Sequence, residues 1–176
     1  QITGHRPTRF KFKYNEKDKR CQRIKKCLQE QLIRLYNQGV RCFWVGGAMG
    51  VDMWAAELLL RMKEQQAYQD VELCLALPFE GYNADWDDWH RKRMDFIRRY
   101  AEKVLVLGEM PSSESYKKRN YYMVEQAGHM IAVYDNAHNM RSGTQQTVNY
   151  AKKKGLQIIY IHPDTAQVTE EDITKK

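Results

Sequence analysis

Short apolar runs alternate along this chain with longer segments whose apolar residues recur every three or four positions. Cys42-Phe43-Trp44-Val45, Val71-Glu72-Leu73-Cys74-Leu75-Ala76-Leu77, Lys103-Val104-Leu105-Val106-Leu107 and His129-Met130-Ile131-Ala132-Val133-Tyr134 read as buried strands. Residues 1–4 and 156–161 supply a first and a sixth. Between them, Cys21, Ile24, Leu28, Leu32 and Leu35 keep one face of a helix over 18–38, with Gly39 as its stop signal. Val51, Trp54, Ala55, Leu58, Leu59 and Met62 do the same for a helix reaching about residue 68. Trp86, Trp89, Arg93, Phe96, Ile97 and Tyr100 set a third helix. A fourth starts at Ser112 or Ser113 and runs to about residue 127, and a fifth opens at Ser142-Gly143-Thr144 and ends near Gly155.

Strands alternating with helices predict an α/β fold. The expectation is a Rossmann-like, doubly wound, mostly parallel sheet of about six strands with helices on both faces. Residues 1–163 would form one domain and 164–176 a charged tail. Right-handed crossovers bring every strand-to-helix loop to the same edge of such a sheet, where ligands bind near the point at which strand order reverses. That edge gathers His5-Arg6, the turn 46–52, residues 78–80, Gly108-Glu109 and residues 134–144.

The turn Gly46-Gly47-Ala48-Met49-Gly50-Val51-Asp52 joins a strand to a helix. Glycines permit tight turning and close backbone approach, and the helix start offers amide groups and positive potential to an anion. The spacing is neither G-x-G-x-x-G nor a P-loop, so an ordinary tight turn that binds nothing remains the competing reading. Ser142-Gly143-Thr144 is a second glycine-and-hydroxyl turn, suited to phosphate or simply to N-capping. Arg119 could fork onto a phosphate, and Asn120 could bond a base or backbone. Polar residues 5–17 could cover a ligand, with His5 and Arg6 closing the pocket, or could simply form a mobile loop. Pro78 ends the third strand at the same edge.

Charge adds a direction: 29 Lys and Arg against 22 Asp and Glu give a net +7, which favours an anionic partner. The runs Arg91-Lys92-Arg93 and Lys152-Lys153-Lys154 read as solvated faces. Trp86, Trp89 and Tyr100 could stack on a base but fit a core better. Cys21, Cys27, Cys42 and Cys74 show no C-x-x-C spacing, and Cys42 and Cys74 fall in strands, so they read as reduced core thiols of a cytoplasmic protein. His90, His129, His138 and His162 have no metal-like spacing; neither a metal nor a cofactor is expected. No run is long enough to span a membrane. Asp52, Glu57, Glu80 and Glu109 are the carboxylates best placed for acid–base work, and no nucleophile–base pair stands out.

The glycine turn with Ala56, then Arg119-Asn120, then Ser142-Gly143-Thr144 with Thr147 and Ala151, resemble in order and spacing the motifs of the DNA-processing protein A (Smf) family. Arg119 with Met123, followed by Gly143-Thr144, also resembles the lonely-guy phosphoribohydrolases. Both belong to the SLOG superfamily, and with Thr3-Gly4-His5-Arg6-Pro7 and Trp54-Ala55-Ala56-Glu57 the whole chain is most similar to its stand-alone, bacterial YpsA branch. The resemblance implies binding of a nucleotide-derived ligand such as ADP-ribose, by a sensor, regulator or sequestering domain. Gly46, Gly47, Gly50, Ser142, Gly143 and Thr144 would cradle phosphate or ribose. Asp52 would meet a ribose hydroxyl, and Arg119 would meet a phosphate. A homodimer is also implied.

The phosphoribohydrolases carry two glutamates after their Gly-Thr, whereas Gln146 and Thr147 stand here. N-glycosidic hydrolysis would then fall to Asp52 or Glu80 with Arg119, or to Glu109. A third alternative is binding of single-stranded DNA, as the DNA-processing protein does.

Overall fold

The structure, a computed structural model, describes residues 1–135 and 142–171. The rest of the loop expected over 135–141, with His138, lies outside the described residues. Seven strands and five helices follow in the order β1 (Ile2–Gly4), α1 (Lys19–Asn37), β2 (Cys42–Val45), α2 (Val51–Glu64), β3 (Glu72–Leu77), α3 (Asp88–Tyr100), β4 (Lys103–Val106), α4 (Ser113–Glu125), β5 (His129–Val133), α5 (Gly143–Lys153), β6 (Gln157–Ile161) and β7 (Val168–Glu171). Helix α2 stops four residues before the boundary read from the sequence, and Gln66–Tyr68 forms a separate single turn.

The strands form two hydrogen-bonded groups, β2-β3-β4 and β1-β5-β6-β7, with β1 in contact with β2 at the seam. Every ladder is parallel except β6–β7. The expected six strands are therefore seven, because the presumed tail pairs antiparallel with β6. The chain leaves β1 towards β2 on one side and returns to place β5 on the other, so strand order reverses between β1 and β5. Their carboxyl ends are Gly4 and Val133.

Period-two alternation assigns each strand residue to a face. Phe43, Val45, Leu73, Leu75, Leu77, Ile131, Val133, Ile159 and Ile161 join the larger core beneath α1, α2 and α3. Trp44, Cys74, Ala76, Met130, Ala132 and Ile158 face α4 and α5. With apolar residues on both faces, the central strands β2, β3, β5 and β6 carry no polar side, as a doubly covered sheet requires.

The segment between β1 and α1 is basic but packed. Phe10 and Phe12 stack at 4.9 Å and lie against Trp54 of α2, all three nearly buried. Glu16 then accepts from Arg93 of α3 and from Lys25 of α1, and Arg93 also donates to Glu57 of α2. This segment thereby holds Arg6 and Arg9 at the carboxyl edge. The aromatics of α3 depart from expectation. Trp89 and Tyr100 are about half exposed rather than core, because His90, Met94 and Ile97 form the buried stripe. Cys42 is also exposed, since it opens β2 at the sheet rim.

Among the described residues, no helix is long and apolar enough to cross a membrane. Truncation of Phe10 to alanine should cost about 3–5 kcal/mol in urea unfolding, because it empties a site between Phe12 and Trp54; a loss under about 1 kcal/mol would show that this segment is not anchored there.

Candidate functional site

At the carboxyl edge two neighbouring cavities share Arg6, Thr8, Ala48, Tyr116 and Arg119. The larger, about 400 Å³, sits at the β1/β5 switch point. It is lined by Gly4, His5, Arg9, Asp52, Asn120, Ser142, Gly143, Thr144 and Thr147 as well as the shared residues. The smaller, about 240 Å³, is walled by Tyr14, Tyr82, Trp86 and Met49. One is polar and one aromatic, and Arg119 belongs to both.

Arg119 projects from α4 and is only 5% exposed. Its Nη1 donates to the Gly46 carbonyl, and also to the Ala76 carbonyl at 3.3 Å, while Nε donates to Asn120 Oδ1 at 2.7 Å. The guanidinium thus caps the carboxyl ends of β2 and β3. Asp52, in the first turn of α2, accepts from the Ala48 N–H at 3.2 Å. Burial pushes its carboxyl above the usual value, against the opposing pull of Arg119. A Cβ on Gly46 would lie 2.8 Å from Arg119 Nη1 and 2.9 Å from Asp52 Oδ2, so glycine is required between the two charges. Gly50 begins α2 at φ +86°, and a Cβ there would lie 2.9 Å from the His5 carbonyl oxygen. Gly47, at φ +75°, is held from the far side by the Tyr82 hydroxyl, which donates to its carbonyl at 2.7 Å.

The second turn caps α5. Ser142 Oγ accepts from the Gln145 N–H at 3.0 Å, and Thr147 Oγ1 donates back to the Gly143 carbonyl at 2.9 Å. The Gly143 and Thr144 amides precede the helix ladder, at the positive end of the α5 dipole. Among the described lining residues, Arg6, Arg9 and Arg119 stand against the single carboxylate of Asp52. Tyr116 lies near both cations, 5.8 Å from Arg6 Cζ and 5.6 Å from Arg119 Cζ. His5 is nearly buried between Phe10 and Tyr134; desolvation, then Arg9, pull its imidazole below the ordinary value and favour the neutral ring.

The structure therefore brings together His5, Arg6, Asp52, Arg119, Asn120, Ser142, Gly143 and Thr144. Gly46, Gly47 and Gly50 shape the turn from beneath, while Ala48 and Met49 face the cavities. Pro78 is buried outside both, its carbonyl packed against Gly108. Glu80 points away and pairs with Arg98 at 3.0 Å. Glu57 is engaged with Arg93, and Glu109 lies on an exposed loop. Sequence reasoning placed Arg9 and Tyr14 in the segment 5–17 but gave no individual role to them, to Tyr82 or to Tyr116. The signal available for Tyr14 and Tyr82 was their place in loops at the ligand edge, which fixes the edge but not the direction of a side chain.

Fold and crevice together define a Rossmann-like α/β protein with a cationic cleft at its topological switch point. The sequence matches the YspA SLOG family over residues 1–166, and the chain belongs to that family. A UPF0398 protein of Bacillus cereus is 31% identical over 157 residues, 88% of this chain and 82% of the relative. A UPF0398 protein of Bacillus thuringiensis is 29% identical over the same spans.

Two outcomes follow from the Asp52–Gly46–Arg119 contact. Gly46→Ala should destabilise the fold by about 1–3 kcal/mol in chemical denaturation, since neither charged neighbour is on a free surface to yield. Asp52 has a native pKa raised above its ordinary 3.8. Its proton therefore contributes stability that is complete below 3.8 and lost as pH rises through the native value. Unfolding curves should show this decline for the parent protein and not for Asp52→Asn; identical pH profiles would contradict the shift.

Proposed function

We propose that this protein binds a nucleotide-derived ligand of the ADP-ribose type at the carboxyl edge of the sheet, as a sensor, regulator or sequestering domain. The observation that carries the reading is the juxtaposition of a polar, arginine-lined cavity with an aromatic one across Arg119. Phosphate oxygens fit the α5 amino terminus, Arg6 and Arg119. A base fits the slot between Tyr82, Trp86 and Tyr116, where flat π-faces meet it without extensive hydrogen bonding. Family membership is consistent with this ligand class.

Binding without hydrolysis is favoured by the state of the carboxylates. Among the described lining residues Asp52 is the one acidic candidate, and it accepts from Ala48 within its own loop. Glu80 is committed to Arg98. The DNA reading loses support because Arg93 of the run 91–93 is enclosed by Glu16 and Glu57.

A thermal-shift panel of nucleotides and ADP-ribose, with mass spectrometry of any molecule released from the purified protein, tests the proposal. A ligand at a hundred times its Kd should add about 2.7 kcal/mol of stability. No shift at millimolar ligand and no co-purified nucleotide would overturn it. Chromatography should recover the ligand intact; release of free base would replace sequestering by hydrolysis. Arg6→Ala should weaken binding roughly tenfold by isothermal titration while changing stability by less than about 0.5 kcal/mol, because Arg6 is exposed.

A further inference from the structure

The opposite, amino edge of the sheet carries a second cluster. The parallel register pairs Cys42 with Glu72 and Trp44 with Cys74, so Cys42, Glu72 and Cys74 share the α4 face of β2 and β3. Cys74 is buried beside Trp44 and Met123, whereas Cys42 and Glu72 lie at the exposed rim. The two sulfurs are 3.1 Å apart, and the sulfur and carboxylate ligand atoms all lie within 4.8 Å of one another.

A disulfide is the poorer use of this geometry. Cys74 lies two residues beyond the register partner of Cys42, which separates their Cα atoms by roughly 8 Å, given a rise of about 3.3 Å per residue and about 4.8 Å between strands. Bridging needs less than about 7 Å. A tetrahedral ion asks for something else. Bonds of about 2.3 Å to sulfur and 2.0–2.2 Å to oxygen place donor atoms roughly 3.5–3.8 Å apart, a spacing reached here by small side-chain rotations.

We propose that Cys42, Cys74 and Glu72 form a surface binding site for a thiophilic divalent cation of the zinc class, with the fourth position open to water. Thiolate donors select zinc-like ions over magnesium or calcium. Two thiolates and a carboxylate around such an ion leave one negative charge, opposite the ammonium of Lys103, the register partner of Cys74. An incoming ion displaces the thiol protons as the thiolates bind it. The site is separate from the carboxyl-edge cavities, and nucleotide binding there does not depend on it.

Cobalt titration of the reduced, metal-free full chain tests the site. The expected result is a thiolate-to-cobalt charge-transfer band that saturates at one equivalent and is bleached by zinc. Cys42→Ser and Glu72→Gln should each lower cobalt affinity by about tenfold or more, with unchanged circular dichroism, since both positions are exposed. Cys27→Ser, whose thiol donates to the Ala166 carbonyl elsewhere, should leave the titration unchanged. Absence of the band, or a band of parental affinity in Cys42→Ser, would overturn the assignment.

Discussion

The site depends on one buried cation. Arg119 comes from the α4 layer, yet its guanidinium ends on the carbonyls of Gly46 and Ala76, at the tips of β2 and β3. Removing an arginine from water costs several kcal/mol unless acceptors replace the lost hydration. Here the acceptors are strand ends and the Asn120 side chain, and Asp52 supplies opposing charge nearby. The arrangement fixes α4, two strands and the start of α2 relative to one another before any ligand arrives. Preorganisation of this kind lowers what a binding event must spend on ordering.

The same contact explains the glycine turn better than an anion cradle alone does. In the sequence, Gly46-Gly47 and Gly50 suggest amides presented to phosphate. In the structure, Gly46 makes room for a charge pair, Gly50 lets the chain pass beside the His5 carbonyl, and the Ala48 amide is spent on Asp52. Under the proposed function, the anion-directed role falls to the α5 start, with Ser142 as its cap. Two turns of similar composition thus differ in task, because only one of them holds a carboxylate of its own chain.

Legibility followed the same physical divide. Periodicity located five helices and six strands and hence the ligand edge, because an edge is a property of connectivity. It brought His5, Arg6, Asp52, Arg119, Asn120 and residues 142–144 to one crevice. It did not resolve direction within that edge. Pro78 and Glu80 follow β3 at the correct height, but the chain turns away, burying one and pairing the other with Arg98. Trp89 and Tyr100 have helical spacing, but the spacing is shared with a narrower stripe of His90, Met94 and Ile97 that takes the core. Strand β7 was hidden because Val168-Thr169-Glu170-Glu171 is a polar edge strand, whose pairing rests on backbone bonds to β6 rather than on burial.

The packing of Phe10 and Phe12 against Trp54 bears on kinetics as well as on stability. A segment that borders a binding cleft often works as a gate, opening on the microsecond-to-millisecond scale and setting residence time. This one is nailed to the main core by two aromatic rings and by Glu16, so it forms a fixed jamb beside the cleft. Past this segment, exchange of a guest would be governed by broken contacts and resolvation rather than by the segment's own motion.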